Sequence, residues 1–169
     1  MDKICSSDFV NSTEKNYEVI NVEKTRNVCP MCEDFAEAQI KKQVPFAILS
    51  CEGACLRGEV SRQAANLICF SLMPGKTSRI CLGGAFTKDT GQRNLVRNAP
   101  RVIALEGCFI ECASRMMKGV INELNPEVII VDKLYDFDRK LFGIHEVTEQ
   151  QIKEFAKAAA VKIVDMITS

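Results

Sequence analysis

A short apolar run that leads into a cysteine-containing turn places the strongest constraint on how this chain folds. Residues 102–105 are long enough for a buried strand and too short for a helix. Glu106-Gly107 is typical of a turn, and the periodicity from Cys108 to Ile121 predicts a helix. Cys108 is therefore expected at the strand-to-helix corner, with Cys112 one helical turn further along the same face. Because unpaired N–H groups at a helix start favour thiolates, the segment predicts a thiol site.

The alternation of strand and helix begins at Pro45 and continues to the end of the chain. The apolar patterns predict strands at 45–51, 79–82, 102–105 and 128–132, each followed by a turn signal or a helix. Repeated units of this length predict an α/β fold of three layers, with a mainly parallel sheet of at least four strands. The expected architecture is Rossmann- or flavodoxin-like, with the strand order 2-1-3-4.

Other segments carry weaker local signals. We expect a helix over 58–73, a brief helix from residue 89 or 90 to 96, and a loop over 134–145. Thr148-x-x-Gln151 resembles a capping box and predicts the start of a last helix. Residues 17–22 are read as a short edge strand. Residues 1–43 are expected to form an N-terminal extension with its own Cys-x-x-Cys, and residues 44–169 the α/β domain.

Charge and hydropathy exclude several classes of partner. Lysine plus arginine and aspartate plus glutamate both number 22, so no basic field is available for nucleic acid. No apolar stretch is long enough to span a membrane or to serve as a signal peptide, so we expect a cytoplasmic protein. In that compartment an odd set of nine cysteines favours metal binding or catalysis over disulfides. No feature of the sequence specifies an oligomeric state.

Five cysteines follow the ends of predicted strands. Because parallel strands end at one edge of a sheet, the corners Cys51-x-x-x-Cys55 and Cys108-x-x-x-Cys112 are expected to face each other, with Cys81 nearby. Soft sulfur ligands select zinc or iron–sulfur chemistry rather than magnesium or calcium. The arrangement that we favour is zinc held by Cys51, Cys108 and two of Cys55, Cys81 and Cys112.

Two other chemistries are open, and the sequence does not decide whether the protein is an enzyme. In a thiol enzyme, Cys108 or Cys51 would attack a disulfide, a persulfide or a metalloid, and Cys112 or Cys55 would resolve the product. A small thiol or a redox partner protein would then be required. The second alternative is an iron–sulfur cluster, and the simplest interpretation is a set of reduced thiols without metal.

The remaining candidates are of lower rank. Cys29 and Cys32 form either a redox dithiol or half of a second zinc site. Cys69 is expected in the core, packed with Leu67, Ile68, Phe70 and Leu72, whereas Cys5 lies in a polar end and His145 on the surface. Charged residues beside the two corners either orient ligands or are solvated helix ends: Arg57, Glu59, Glu106, Glu111 and Arg115.

The order of these motifs resembles that of the DGC-domain family, whose members are proposed to bind zinc and whose name denotes Asp-Gly-Cys. The resemblance extends from about residue 45 to the C-terminus. It rests on Cys51-x-Gly53, Gly58-Glu59, Cys81-Leu82-x-Gly84, Gly107-Cys108 and Cys112. Glu106 stands where the family has aspartate, so the acid is one methylene longer. The resemblance implies zinc binding and supplies no substrate.

Overall fold

A computed structural model describes residues 17–169, so the predictions for Cys5 and for the rest of residues 1–16 lie outside it. The α-helices are α1 (Pro30–Lys41), α2 (Leu56–Leu67), α3 (Leu82–Thr87), α4 (Gly91–Asn98), α5 (Cys112–Lys118) and α6 (Glu149–Thr168). The strands are β1 (Phe46–Ser50), β2 (Thr77–Arg79), β3 (Arg101–Glu106) and β4 (Glu127–Ile130). A π-helical turn spans Ile68–Leu72, and single 3-10 turns span Val131–Lys133 and Ile144–Glu146.

The four strands form one parallel sheet in the order β2-β1-β3-β4, which confirms the predicted architecture. β1 pairs with β3 along its whole length, from Phe46 opposite Arg101 to Ser50 opposite Leu105. The two strands that precede the cysteine corners are therefore neighbours at the centre of the sheet.

The side chains of the central strands alternate between two apolar layers. Ile48, Ile103 and Leu105 pack with α2 and α6 in one buried cluster. On the opposite face, Leu49 and Ala104 pack with residues of α1, α3, α4 and α5. Because successive strand residues point to opposite faces, helices cover both sides and the fold has three layers.

The last helix begins as its sequence predicts. The Thr148 hydroxyl accepts a hydrogen bond from the Gln151 amide, and the Gln151 side chain accepts one from the Thr148 amide. This reciprocal capping satisfies N–H groups that the helix start would otherwise leave unpaired. α6 then buries Ile152, Ala156 and Ile163 against α2 and the sheet.

The predicted helix over 58–73 differs in its last turn. α2 ends at Leu67 and continues as the π-helical turn, whose wider winding changes the direction of the side chains that follow. Cys69 is buried at 4% exposure, as expected. Phe70 and Leu72 are 66% and 46% exposed, so the prediction that they pack around Cys69 is wrong.

Three short segments also depart from the sequence pattern. β2 covers Thr77–Arg79 instead of 79–82, because Leu82–Thr87 forms α3, an unpredicted helix that contains Gly83-Gly84. Residues 17–22 are exposed and form no strand, so the predicted edge strand is wrong.

α1 begins inside the Cys-x-x-Cys motif, at Pro30, and packs against α4. The Thr90 hydroxyl donates to the Glu33 carboxylate at 3.0 Å, where α4 begins. Ala36 is buried in the same contact. The division of the chain into an extension over 1–43 and a domain over 44–169 stays a prediction.

Candidate metal centre

The two cysteine corners begin side by side at the carboxyl end of the sheet. The backbone N–H of Cys51 donates to the carbonyl of Leu105 at 2.9 Å, which extends the pairing of β1 and β3 by one residue. The first corner then turns into α2 at Cys55, and the second turns into α5 at Cys112. The pairing of β1 and β3 therefore fixes the backbone of both corners before either helix begins.

Glycines bring the two corners into direct backbone contact. A Cβ atom on Gly107 would lie 2.8 Å from the backbone of Arg57 and of Gly58. A Cβ atom on Gly58 would lie 2.7 Å from the backbone nitrogen of Gly53. Real side chains do not tolerate such distances, so only glycine permits this approach. The three glycines thus stack the second corner on the first.

Three thiols lie around this contact. The position of a Cβ on Gly53 is 3.6 Å from the sulfur of Cys55 and 3.9 Å from the sulfur of Cys51. Burial is the largest effect on the pKa of Cys51 and raises it. Hydrogen bonds from the backbone of Gly53 and Gly107 lower this pKa, and the nearby charge of Cys112 raises it, so that the net shift is upward. The thiol of Cys51 is therefore protonated at neutral pH when no cation is bound.

The other two candidates occupy the rim of the site. Cys108 is partly buried in the turn between β3 and α5. α5 begins only at Cys112, after Glu111 in a left-handed conformation with φ of 55°, so the expectation that Cys112 lies one helical turn beyond Cys108 on the same helix face is wrong. Cys81 is exposed at the start of α3, and its backbone N–H donates to the side chain of Gln92 at 3.0 Å.

Within residues 17–169, no three histidine, cysteine, aspartate or glutamate side chains are grouped closely enough to hold an ion as they stand. The corners are in backbone contact, but the thiols of the described residues are not gathered at one point. A common ion for Cys51 and Cys108 therefore stays a prediction. The chemistry of the donors fits zinc, because cysteine sulfurs of this kind are its usual ligands.

A family model for the DGC domain matches residues 47–159, two thirds of the chain. The chain belongs to the DGC domain family. The match includes both corners and Cys81, and it excludes α1 with Cys29 and Cys32. No curated protein and no solved structure has significant similarity to the chain. None of the helices in the described part of this DGC protein is both long and apolar enough to cross a membrane.

The acidic residue of the DGC turn supports α5 from inside the protein. Glu106 is fully buried, and its carboxylate accepts hydrogen bonds from the backbone N–H groups of Ala113 at 3.2 Å and Ser114 at 2.6 Å. These N–H groups belong to the first turn of α5, where a negative charge is also favoured by the helix dipole. Glu106 therefore holds the helix that carries Cys112, and its length suffices for both contacts.

Arg57, at the start of α2, binds the segment over residues 132–141. It is 2% exposed, with its Nε 3.3 Å from Asp132 and its terminal nitrogens donating to the carbonyls of Arg139 and Leu141. The sequence indicated Arg57 only as a charge near the corner and did not single out Asp132. An aspartate directly after the apolar run of β4 was the available signal, because it places a carboxylate at the same edge of the sheet.

The other flanking residues have simpler surroundings. Glu59 pairs with Arg62 on the surface of α2 at 2.6 Å, and Arg115 is exposed and donates weakly to the Ile110 carbonyl at 3.4 Å. His145 is exposed, as the sequence predicted. Cys29 and Cys32 lie at the start of α1, and their role stays a prediction.

Proposed function

We propose that this DGC protein binds zinc through cysteine thiolates at the carboxyl edge of the sheet. The ligands would be Cys51 and Cys108, with two of Cys55, Cys81 and Cys112. The observation that carries the proposal is the backbone contact of the two corners through their glycines. It keeps four of these cysteines on adjoining turns, so that rotation of side chains and small shifts of the turns would gather them around an ion.

The electrostatics of the site support a cation over a free thiol. The pKa of Cys51 is raised by burial and by the neighbouring charges of Cys112 and Glu106. Each additional thiolate makes the next harder to form, and a divalent ion offsets that repulsion because its own charge is the largest in the site. A protonated thiol is also a weak nucleophile. This property counts against Cys51 as the attacking residue of a thiol enzyme.

The packing of the described residues assigns no structural role to a metal ion. Two apolar clusters cover the faces of the sheet, and neither depends on the candidate ligands for its packing. A core of this kind should fold without metal, in contrast to a zinc finger. We therefore infer a functional ion, which is carried, sensed or used as a Lewis acid if one coordination position stays open. The reducing cytoplasm, where we expect the protein, would keep the thiols available.

Counting metal per chain tests the proposal. The protein is purified anaerobically, reconstituted with zinc under reductant, desalted and analysed for its elements. We expect one zinc per chain in the wild type and none in Cys108→Ser, because a serine hydroxyl stays protonated near neutral pH and is a poor ligand for zinc. Iron and a brown colour in the wild type would instead indicate an iron–sulfur protein.

Cys69→Ser is the matched control, since Cys69 is a buried cysteine of the core and not of the site. It should retain zinc. We expect a loss of about 1–3 kcal/mol of stability, because the change buries a hydroxyl in the core. The loss is limited to this range because the helical turn lets the hydroxyl donate to a carbonyl one turn earlier. Zinc retained in Cys108→Ser and lost in Cys69→Ser would reverse the assignment of the two residues. Wild-type protein with reactive thiols and no bound metal after reconstitution would contradict the proposal.

A further inference from the structure

The Cys-x-x-Cys motif at the start of α1 has no role in the proposed zinc site. Cys29 is the N-cap residue, Pro30 is the first helical residue and Cys32 is the third. Cys29 is exposed, Cys32 is partly buried, and both are free cysteines. The family match begins at residue 47, so the motif lies outside the part of the chain that matches the family.

The local geometry suits a disulfide between the two cysteines. The backbone N–H of Cys32 donates to the carbonyl of Cys29 at 3.0 Å, which closes a turn of four residues. Such a turn holds its terminal Cα atoms less than about 7 Å apart, and disulfides join Cα atoms that are about 4.4–6.8 Å apart. An N-cap side chain also extends towards the third helical residue, and that of Cys29 forms no capping hydrogen bond. Rotation of the two side chains therefore suffices to join the sulfurs.

The contact of α1 with α4 holds the motif on the body of the protein. Glu33, directly after Cys32, accepts a hydrogen bond from the Thr90 hydroxyl at 3.0 Å. One turn later, Ala36 is buried against the same layer. Because the helix already fixes this turn, a disulfide between its ends orders little additional chain.

The pair is separate from the cysteines of the candidate metal centre. Among residues 17–169, neither Cys29 nor Cys32 belongs to a group of three potential metal ligands. The two corners also lack such a group, but they carry four cysteines on adjoining turns, whereas the start of α1 carries two. A structural zinc site needs four ligands, so two thiols alone favour redox chemistry over a second zinc ion.

An open groove that carries positive charge lies just before the motif. It has a volume of about 480 Å³ and is lined by residues 23–26 and residues 87–88. Its lining has one carboxylate and three cations, which are Lys24, Arg26 and Lys88. None of these cations forms an ion pair with another residue in the described range 17–169. Arg26 is three residues from Cys29, so at most about 11 Å separates their Cα atoms.

We propose that Cys29 and Cys32 are a redox dithiol whose substrate is a small disulfide that carries carboxylates. The groove binds the carboxylates of the substrate through its cations, and the exposed Cys29 reaches the S–S bond. This activity is independent of the proposed zinc site, because no residue of the motif or of the groove is among the proposed zinc ligands.

The reaction is thiol–disulfide exchange in two steps. Cys29 loses its proton and attacks one sulfur of the substrate; the S–S bond breaks, and the released thiolate takes up a proton. Cys32 then loses its proton and attacks the Cys29 sulfur, which forms the Cys29–Cys32 disulfide and releases the second substrate thiol. Two protein thiols are oxidised by two electrons, and one disulfide is reduced to two thiols. An excess of substrate thiol drives the same steps in reverse.

The first test traps the mixed disulfide. The full-length chain is reduced, desalted, treated anaerobically with oxidised glutathione, alkylated and cleaved at glutamate, which releases residues 24–33 as one peptide. In the wild type we expect this peptide to contain a Cys29–Cys32 disulfide. In Cys32→Ser we expect one glutathione on Cys29, because the second thiol that would release it is absent. Cys69→Ser, which changes a core cysteine, should behave as the wild type.

The second test addresses the groove in the Cys32→Ser protein. Replacement of its three cations by glutamine should slow the reaction of Cys29 with oxidised glutathione by about 10-fold, because three exposed ion pairs of modest strength are lost. The rate with the neutral disulfide of 2-mercaptoethanol should stay the same. The matched control loses three exposed lysines outside the groove, all without ion pairs in the described part of the chain, by the changes Lys42→Gln, Lys118→Gln and Lys157→Gln. Its rate with oxidised glutathione should stay within about 2-fold.

The outcomes decide each part of the inference. Absence of glutathione from Cys29 in Cys32→Ser would refute the redox dithiol. Equal rates in the groove variant and its control would refute the groove as the substrate site. A second zinc per reconstituted chain that is lost in Cys32→Ser would make the pair a metal site and overturn the inference. Failure of the wild type to bind any zinc would refute only the proposed function, since the exchange requires no metal.

Discussion

Replacement of Glu106 tests whether the acidic residue of the DGC turn supports the helix behind the site. Glu106→Ala removes a fully buried carboxylate and leaves the N–H groups of Ala113 and Ser114 without acceptors. A hydrogen bond to a charged group contributes about 1.5–3 kcal/mol, and the favourable contact with the helix start adds about 0.3–1 kcal/mol. The bond from Ala113 is longer than the bond from Ser114 and therefore contributes less. We expect a total loss of about 3–5 kcal/mol in the free energy of unfolding.

Glu106→Gln should lower stability for the same reason, by a smaller amount. The amide keeps the shape and one acceptor oxygen but loses the charge, so about 1.5–3 kcal/mol should be lost. Urea unfolding of metal-free protein, followed by circular dichroism in reductant and chelator, measures both changes. The slope with urea should stay constant, because the surface exposed on unfolding is the same.

Glu127→Gln is the control. Glu127 is a half-exposed glutamate that pairs with Arg101 at 2.7 Å, near the opposite end of β3, and such surface pairs contribute less than about 1 kcal/mol. The reasoning is refuted if Glu106→Ala unfolds within 1 kcal/mol of the wild type, since stabilities of roughly 5–15 kcal/mol make a larger loss easy to measure.

Three further predictions concern a pair of glycines, Arg57 and the pH dependence at Cys69. Each is measured by unfolding of the metal-free protein. Gly107→Ala should cost about 1–3 kcal/mol, because its Cβ would lie 2.8 Å from the backbone of Arg57. Gly83→Ala should stabilise α3 by about 0.4–1 kcal/mol, since nothing lies within 4 Å; equal effects at both glycines would contradict the packing. Arg57→Leu should cost about 3–5 kcal/mol by leaving Asp132 and two carbonyls short of donors; a neutral result would mean that the buried pair is dispensable. Burial raises the pKa of Cys69 from 9.0 to about 11, so the folded state binds that proton more tightly than the unfolded state. This stabilisation is complete below pH 9 and is lost as the pH rises towards 11; Cys69→Ala should lose less over that range, and parallel curves would contradict the assignment.

Much of the fold could be predicted because its signals are local. The apolar run of β3 and the capping box at Thr148 need no information from elsewhere in the chain. The strand order follows from the usual geometry of parallel units. The errors arose where a local signal had two meanings: Gly83-Gly84 marks the end of a strand and equally the open start of a short helix.

The site was only partly predictable, for a different physical reason. The position of the corners follows from the strands, so the cysteine types and the sheet edge could be inferred together. The contact of Gly107 with Gly58 and the pairing of Arg57 with Asp132 depend on the packing of segments far apart in sequence. A single arginine at a helix start carries no pattern that distinguishes a solvated charge from a buried one.

The order of the strands also has a consequence during synthesis of the protein. Cys51 and Cys55 leave the ribosome long before β3, the strand beside which their corner is built, since Ser50 pairs with Leu105. At typical translation rates these roughly 55 residues take about 3–11 s. For that interval the two thiols have neither the glycine contact of the second corner nor its cysteines as partners. We therefore expect oxidants present during translation to modify Cys51 and Cys55 more than they do in the finished protein, which pulse-labelling with a thiol reagent would measure.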